Sequence, residues 1–217
     1  MPKPLHEMSN EELWQLFPIL LAKHDPAWAE RYDAEAARIA AALGADRIVR
    51  ITHIGSTSVT RLTAKPTIDI LLEVGEDTDT AALDRAMEDA GYRCNPKPGN
   101  PAPHRMYLKG YTPEGFQGQV FHVHVRYPGD WDELYFRDWL RTHPEVADAY
   151  AALKEELRRT FEHDRDAYTE AKTGFIRRET ARARAEYGPR YRPAGTDPAH
   201  PQSGEVKGDD HGKPVSV

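Results

Sequence analysis

Two short stretches of the chain carry side chains whose types and spacing suit chemistry on phosphate groups. The first begins at His53-Ile54-Gly55-Ser56, continues through Thr57 and Ser58, and reaches Lys65 and Asp69. A strand that ends in Gly-Ser and turns straight into a helix offers an anion both backbone N–H groups and a hydroxyl. Ser56, Thr57 and Ser58 all suit a helix start, so an ordinary capped turn has the same pattern. Asp69 follows Ser56 by thirteen residues, inside an otherwise apolar run. A carboxylate there is paired, hydrogen-bonded or metal-bound. Asp69 is therefore expected either to hold Mg²⁺ against phosphates or act as a base, or to brace the turn through hydrogen bonds. Lys65 precedes Pro66, which imposes an extended approach to the strand. Its ammonium can meet a phosphate as a point charge or lie in an exposed loop.

The second stretch is His122-Val123-His124-Val125-Arg126. Alternation along a strand puts His122, His124 and Arg126 on one face, with Phe121, Val123 and Val125 turned to the core. Two histidines so placed can ligate a metal or meet an anion, and a polar outer face is the alternative. The arginine beside them favours a site.

The elements that must position these residues follow from periodicity. Asn10 to Leu43 reads as helix, interrupted at Pro18 and at Asp25-Pro26, with Trp28, Tyr32, Ala36, Ile39 and Leu43 forming one buried stripe. Strands are expected over 47–54, 67–74, 105–111 and 119–126, the last two joined as a hairpin through Thr112-Pro-Glu-Gly. Asp77 to Gly91 is helical in pattern, and Asn95 to Pro103, with four prolines, is expected to be loop. From Trp131 to Tyr187 the pattern gives three helices, broken near Pro144 and Asp164. Residues 1–23 form an N-terminal helical extension, 24–187 the folded domain, and 188–217 a disordered tail with too few apolar side chains to pack. The order of strands and helices lacks the strict alternation of a doubly wound sheet.

Bulk composition narrows the partners. A net charge of −6 argues against a nucleic-acid binder, and the locally basic run Arg177 to Arg184 is interrupted by Glu179 and reads as a solvated helix face. Cys94 is the only cysteine, which excludes an intramolecular disulfide and a cysteine metal cluster. No run approaches the length of a membrane span and the N-terminus lacks a signal-peptide pattern, so the cytoplasm is the default location.

The string His53-Ile-Gly-Ser-Thr-Ser-Val59, followed by Leu62, Ala64-Lys65-Pro66 and Ile68-Asp69-Ile70, resembles the signature of the GrpB family. Asp25-Pro26-x-Trp28 is similar too, as are His122-Val-His124-Val, Phe136 to Arg141, His143-Pro144, Tyr150, Leu153-Lys154 and Tyr168-x3-Lys172-x2-Phe175-Ile176. The resemblance covers roughly residues 24–180. It implies an α+β fold like that of polymerase-β-type nucleotidyltransferases, a mixed sheet flanked by helices with C-terminal helices packed on it. It also implies relatives that occur alone or fused to dephospho-CoA kinase. In that superfamily the Gly-Ser turn grips a triphosphate, and two carboxylates on the next strand, with a third on a later one, hold two Mg²⁺ ions. By position Gly55 and Ser56 match the turn, and Asp69 matches one carboxylate.

The chain departs from that pattern. Thr67 or Leu71 stands where the paired carboxylate belongs, and His122 and His124 stand where the third acid would be. Glu73 shares the face of Asp69 but lies about 13 Å along the strand, too far to complete the pair. Val59-Thr60-Arg61-Leu62 replaces the family's usual Val-Pro-Gly-Leu, adding a charge. The expectation is a metal-dependent nucleotidyltransferase acting on a small-molecule or protein acceptor. Gly55, Ser56, Thr57, Ser58 and Lys65 would bind nucleotide or phosphate, and Asp69 and Lys65 would be catalytic. Asp69, His122 and His124 would hold one divalent ion, with Mn²⁺ or Zn²⁺ as suitable as Mg²⁺, and His53, Arg61 and Arg126 would line the site further. The alternatives are a non-catalytic module that binds a nucleotide or phosphorylated metabolite, and a hydrolase or lyase using the histidine pair.

Overall fold

A computed structural model describes residues 2–193. Its elements are α1 (Asn10–Leu16), α2 (Ala27–Leu43), β1 (Ile48–Ile54), β2 (Thr67–Val74), α3 (Thr80–Asp89), β3 (Arg93–Pro96), β4 (Arg105–Thr112), β5 (Gly115–Arg126), α4 (Asp132–Thr142), α5 (Pro144–Phe161) and α6 (Arg165–Tyr187). The five strands form one mixed sheet in the order β1-β2-β5-β4-β3. Only β2 and β5 pair in parallel; the other neighbours are antiparallel. The expected α+β architecture is the observed one.

Strand alternation decides what each sheet face does. Ile68, Ile70, Leu72 and Val74 of β2, with Phe121, Val123 and Val125 of β5, pack against Trp28 and Ile39 of α2 and Leu83 and Met87 of α3. Each such side chain contributes roughly 1.5–3 kcal/mol by leaving water. A one-residue slip of β2 would drive Asp69 into this core, so the apolar residues fix the register that turns Asp69 outward. The opposite face is covered by α4, through Leu134 on Ile54 and Leu71, and by a second cluster of Val59, Leu62, Leu140, Ala147 and Tyr150. Between this face and α5–α6 lies a cleft of ≈1260 Å³.

Several boundaries differ from expectation. Asn95 and Pro96, expected in a loop, belong to β3, at the sheet edge where proline removes no needed donor. Strand β5 starts at Gly115 rather than Gln119, closing directly on the Thr112–Gly115 hairpin turn. The helix expected after Gly55 is a single 3-10 turn, Ser56–Ser58. It ends in a β-branched run leading to Arg61, whose φ of 70° is left-handed.

The N-terminal extension is docked. A capping box between Ser9 and Glu12 starts α1, and Leu5, Leu13 and Phe17 pack with Tyr111. The expected tail lies outside the described residues from 194 onward, but its first residues pack on the domain. Tyr135 donates to the Gly188 carbonyl at 2.8 Å, and the Tyr191 ring meets Tyr135 edge-on while its hydroxyl bonds Asp138. One aromatic ring with a polar tip suffices to carry the folded boundary past 188. Among the described residues no helix is long and apolar enough to cross a membrane.

Candidate functional site

The parallel pairing of β2 and β5 sets Asp69 beside His122, with His124 two residues on and facing the same way. His124 Nε2 is 3.1 Å from Asp69 Oδ1 and His122 Nδ1 is 3.5 Å from it. The ligand atoms of the three residues all lie within 4.8 Å of one another, which fits the N,N,O donor set of a divalent ion. His122 Nε2 lies 2.8 Å from the Tyr111 hydroxyl, whose oxygen accepts from Arg165 at 3.3 Å. That second bond orients the imidazole, as supporting partners of metal-binding histidines do. Burial works to raise the Asp69 pKa, and the donors on His122 and His124 outweigh it, holding the carboxyl well below the usual range. Burial lowers the His122 pKa more than Asp69 raises it, leaving the neutral ring that ligates metals.

Gly55 explains itself through Asp69. Its φ is +69°, and a Cβ there would lie 2.4 Å from Asp69 Oδ2. The backbone of the turn therefore packs directly on the carboxylate, which only glycine permits. Ser56 faces the cleft, and Lys154 Nζ donates to its Oγ at 3.1 Å as well as to the Thr63 carbonyl.

Other expected residues are not brought to the site. Thr57 is buried, donating to the Thr67 carbonyl at 3.0 Å and bonded to His53 Nε2. Ser58 Oγ turns back to the Gly55 carbonyl at 2.6 Å. Both brace the turn instead of contacting the cleft. Alternation along β1 sends Ile54 to the cleft and His53 to the other face, where it stacks on Tyr32. Burial pushes His53 down to about 4. Arg61 lies in the left-handed turn beyond the 3-10 segment and does not line the cleft. Arg126 shares the histidine face but pairs with Glu73 in register, further along β5. It is buried, donating to the Val125 carbonyl and approaching Glu133 at 3.5 Å. Glu73, as its distance from Asp69 implied, is committed elsewhere: it accepts from Arg50, from the Gly129 amide and from the Trp131 indole.

In their place the fold supplies cations that local pattern did not assign. Lys154 on α5, and Arg165 and Lys172 on α6, join Lys65 around the triad. The Tyr168 ring lies under two of them, 4.3 Å from Lys172 Nζ and 5.7 Å from Lys65 Nζ. Among the described residues no carboxylate comes within 4.0 Å of any of the four. Burial lowers Lys154 to about 7, assisted by Lys172, and Lys172 to about 8. Lys65 falls well below its ordinary value through burial and the charges of Arg165 and Lys172. The signal was the i, i+4 spacing of Tyr150 with Lys154 and of Tyr168 with Lys172, which puts each lysine on the stripe of a buried tyrosine. Asp69, the imidazoles of His122 and His124 and the four basic side chains gathered around them suit a ligand with several negative charges and a bound divalent ion.

The model of the GrpB protein family matches residues 18–182. The chain is 42% identical over 163 residues to a UPF0157 protein of Pseudomonas aeruginosa, covering 74% of this chain and 66% of that protein's length. It is 29% identical to a dephospho-CoA kinase of Mycolicibacterium paratuberculosis over 82% of this chain and 49% of the kinase. The crystal structure of the conserved protein GrpB from Enterococcus faecalis is similar with a TM-score of 0.68 and 30% identity, covering 77% of this chain and 99% of that one.

Proposed function

The chain belongs to the GrpB family, and on that premise we propose that its cleft takes a nucleoside triphosphate with one divalent ion and performs nucleotidyl transfer. The observation that carries this reading is the convergence of four basic side chains, with no carboxylate within 4.0 Å of them among the described residues, on a metal-competent Asp-His-His triad. Asp69, His122 and His124 would hold Mn²⁺, Zn²⁺ or Mg²⁺, which when bound supplies Lewis-acid polarisation of a phosphate oxygen. Lys65, Arg165 and Lys172 neutralise the remaining phosphate charge, and Ser56 donates to a phosphate oxygen. The acceptor is a small metabolite or a protein side chain.

A second reading has its own observation. Asp69 is the lone carboxylate of the triad, and Glu73 is tied to Arg50, which leaves a paired-carboxylate, two-ion arrangement without its ligands. On that reading the cleft binds a nucleotide or phosphorylated metabolite without turning it over, as an accessory module. Isothermal titration with ATP, CTP, GTP and UTP, each with and without Mn²⁺, tests the first reading together with an assay of pyrophosphate release. Binding tightened at least roughly tenfold by Mn²⁺, about 1.4 kcal/mol, with pyrophosphate release is the expected result. Binding without release supports the accessory reading. Absence of binding to all four nucleotides overturns both for nucleotides.

A further inference from the structure

Ser56 occupies an unusual position for a residue that only binds phosphate. The left-handed Gly55 ends β1 abruptly and presents the Ser56 hydroxyl to the cleft beside Asp69. Lys154 Nζ lies 3.1 Å from Ser56 Oγ, within reach for direct proton transfer. The lysine is 2% exposed, and its other hydrogen-bond partner is the Thr63 carbonyl. The ammonium form donates to both oxygens; once neutral, the amine would still donate to Thr63 and would turn its lone pair to the serine proton. The Tyr150 hydroxyl also interacts with Ser56, and the Tyr150 ring lies 4.6 Å from Lys154 Nζ.

We infer that Ser56 is a nucleophile, with Lys154 as its general base, and that the cleft works through a covalent nucleotidyl-serine intermediate. A serine hydroxyl is a weak nucleophile until an adjacent base takes its proton, and a buried lysine is a suitable base because desolvation favours the amine. The fall of Lys154 to about 7 leaves a large share of it unprotonated near neutrality. In the forward step Oγ attacks the α-phosphorus of a nucleoside triphosphate. The Oγ–P bond forms, the bond from phosphorus to the bridging oxygen breaks, pyrophosphate leaves, and the hydroxyl proton passes to Lys154 Nζ. In the return step an acceptor hydroxyl or water attacks the same phosphorus and the Oγ–P bond breaks. Lys154 then gives its proton back to Oγ, and the acceptor's proton goes to solvent. The choice of nucleotide rests on the function proposed above; the activation of Ser56 does not.

Diisopropyl fluorophosphate separates the two, because it phosphorylates an activated serine with loss of fluoride and needs neither nucleotide nor metal. The full chain is treated with this reagent across pH 5.5–9 (~ the range in which a lysine lowered by burial titrates), and intact mass and peptide mapping locate the adduct. The expected result is labelling at Ser56 that rises with pH through a midpoint at about 7, set by Lys154. The charged groups facing that lysine are Lys172 from α6, Lys65 from the segment before β2, and Glu155 on its own helix. Ser56→Ala should abolish the adduct. Lys154→Arg keeps the charge and the donors that a structural role requires but cannot become a base, and should slow labelling by roughly 100-fold or more. An unlabelled Ser56, or equal rates in wild type and Lys154→Arg, overturns the proposal. Should Lys154→Arg fail to fold, a flat pH profile in the wild type overturns it equally. Labelling without nucleotide binding would keep the nucleophile and discard the nucleotide, and binding without labelling would do the reverse.

Discussion

The protein buries charge under α2 and α3 and again in the cleft around Asp69, and it does so in opposite ways. Under α2 and α3, Glu35 is 1% exposed and accepts from Lys109 at 2.7 Å, from Tyr92 at 2.9 Å and from Arg38 at 2.9 Å. Nearby, Asp84 accepts twice from Arg105 and once from Tyr107. Across the sheet Lys65, Lys154, Arg165 and Lys172 gather around Asp69 with no carboxylate in ion-pairing distance among the described residues. Burial raises the Glu35 pKa, yet the donors around it prevail and it stays low. In the cleft burial prevails and the lysines fall. Matched buried charge maintains a fold, whereas unmatched buried charge is a standing cost that a ligand of opposite sign would relieve.

The comparison can be broken most visibly at Glu35. Glu35→Gln leaves Lys109 without its counter-charge and should destabilise the protein by roughly 2–3 kcal/mol, below the range for a fully buried pair because Lys109 is partly exposed. The melting temperature should drop by roughly 5–10 °C. A change within error would show that this face does not depend on matched charge.

Lys172→Met makes the contrast from the other side. Removing one of four crowded cations should leave melting of the ligand-free protein unchanged or slightly higher. Affinity for inorganic triphosphate, measured by titration, should fall roughly 10- to 100-fold for the loss of one charge-assisted contact. A large loss of stability with intact triphosphate binding would make Lys172 part of the scaffold.

The smallest effect expected is in pH dependence. Lys154 and Lys172 are lowered in the folded protein to about 7 and about 8, below their ordinary value in the unfolded chain. Above these values the unfolded state binds more protons, so their contribution to stability rises with pH toward the ordinary lysine range and is lowest below about pH 7. Melting curves of wild type and a Lys154→Met, Lys172→Met double variant between pH 6 and 9 (~ spanning both steps) should diverge at the acid end, with the wild type the less stable. Parallel curves would remove the unmatched-charge explanation.

Alternation and helical period, both local properties of the chain, were enough to place β2, β5 and the three C-terminal helices, because burial of apolar side chains enforces those periods. They also put His122 and His124 on one face and made Asp69 conspicuous in an apolar strand. The motif strings were enough to mark GrpB membership. What the chain could not show locally was which neighbours tertiary packing would supply. Thr57 and Ser58 looked like phosphate donors until packing turned their hydroxyls toward Thr67 and Gly55. Arg126 shared the right face but the wrong end of it. Lys154 and Lys172, some thirty residues and more beyond the histidines, stood in the motif strings without an assigned role, and only the folding of α5 and α6 over the sheet brings them to Asp69. Electrostatic character depends on distances across the fold, whereas strand and helix patterns depend on neighbours along the chain. The sequence alone therefore determined the scaffold and the Asp-His-His set, and tertiary structure decided the charge of the cleft around it.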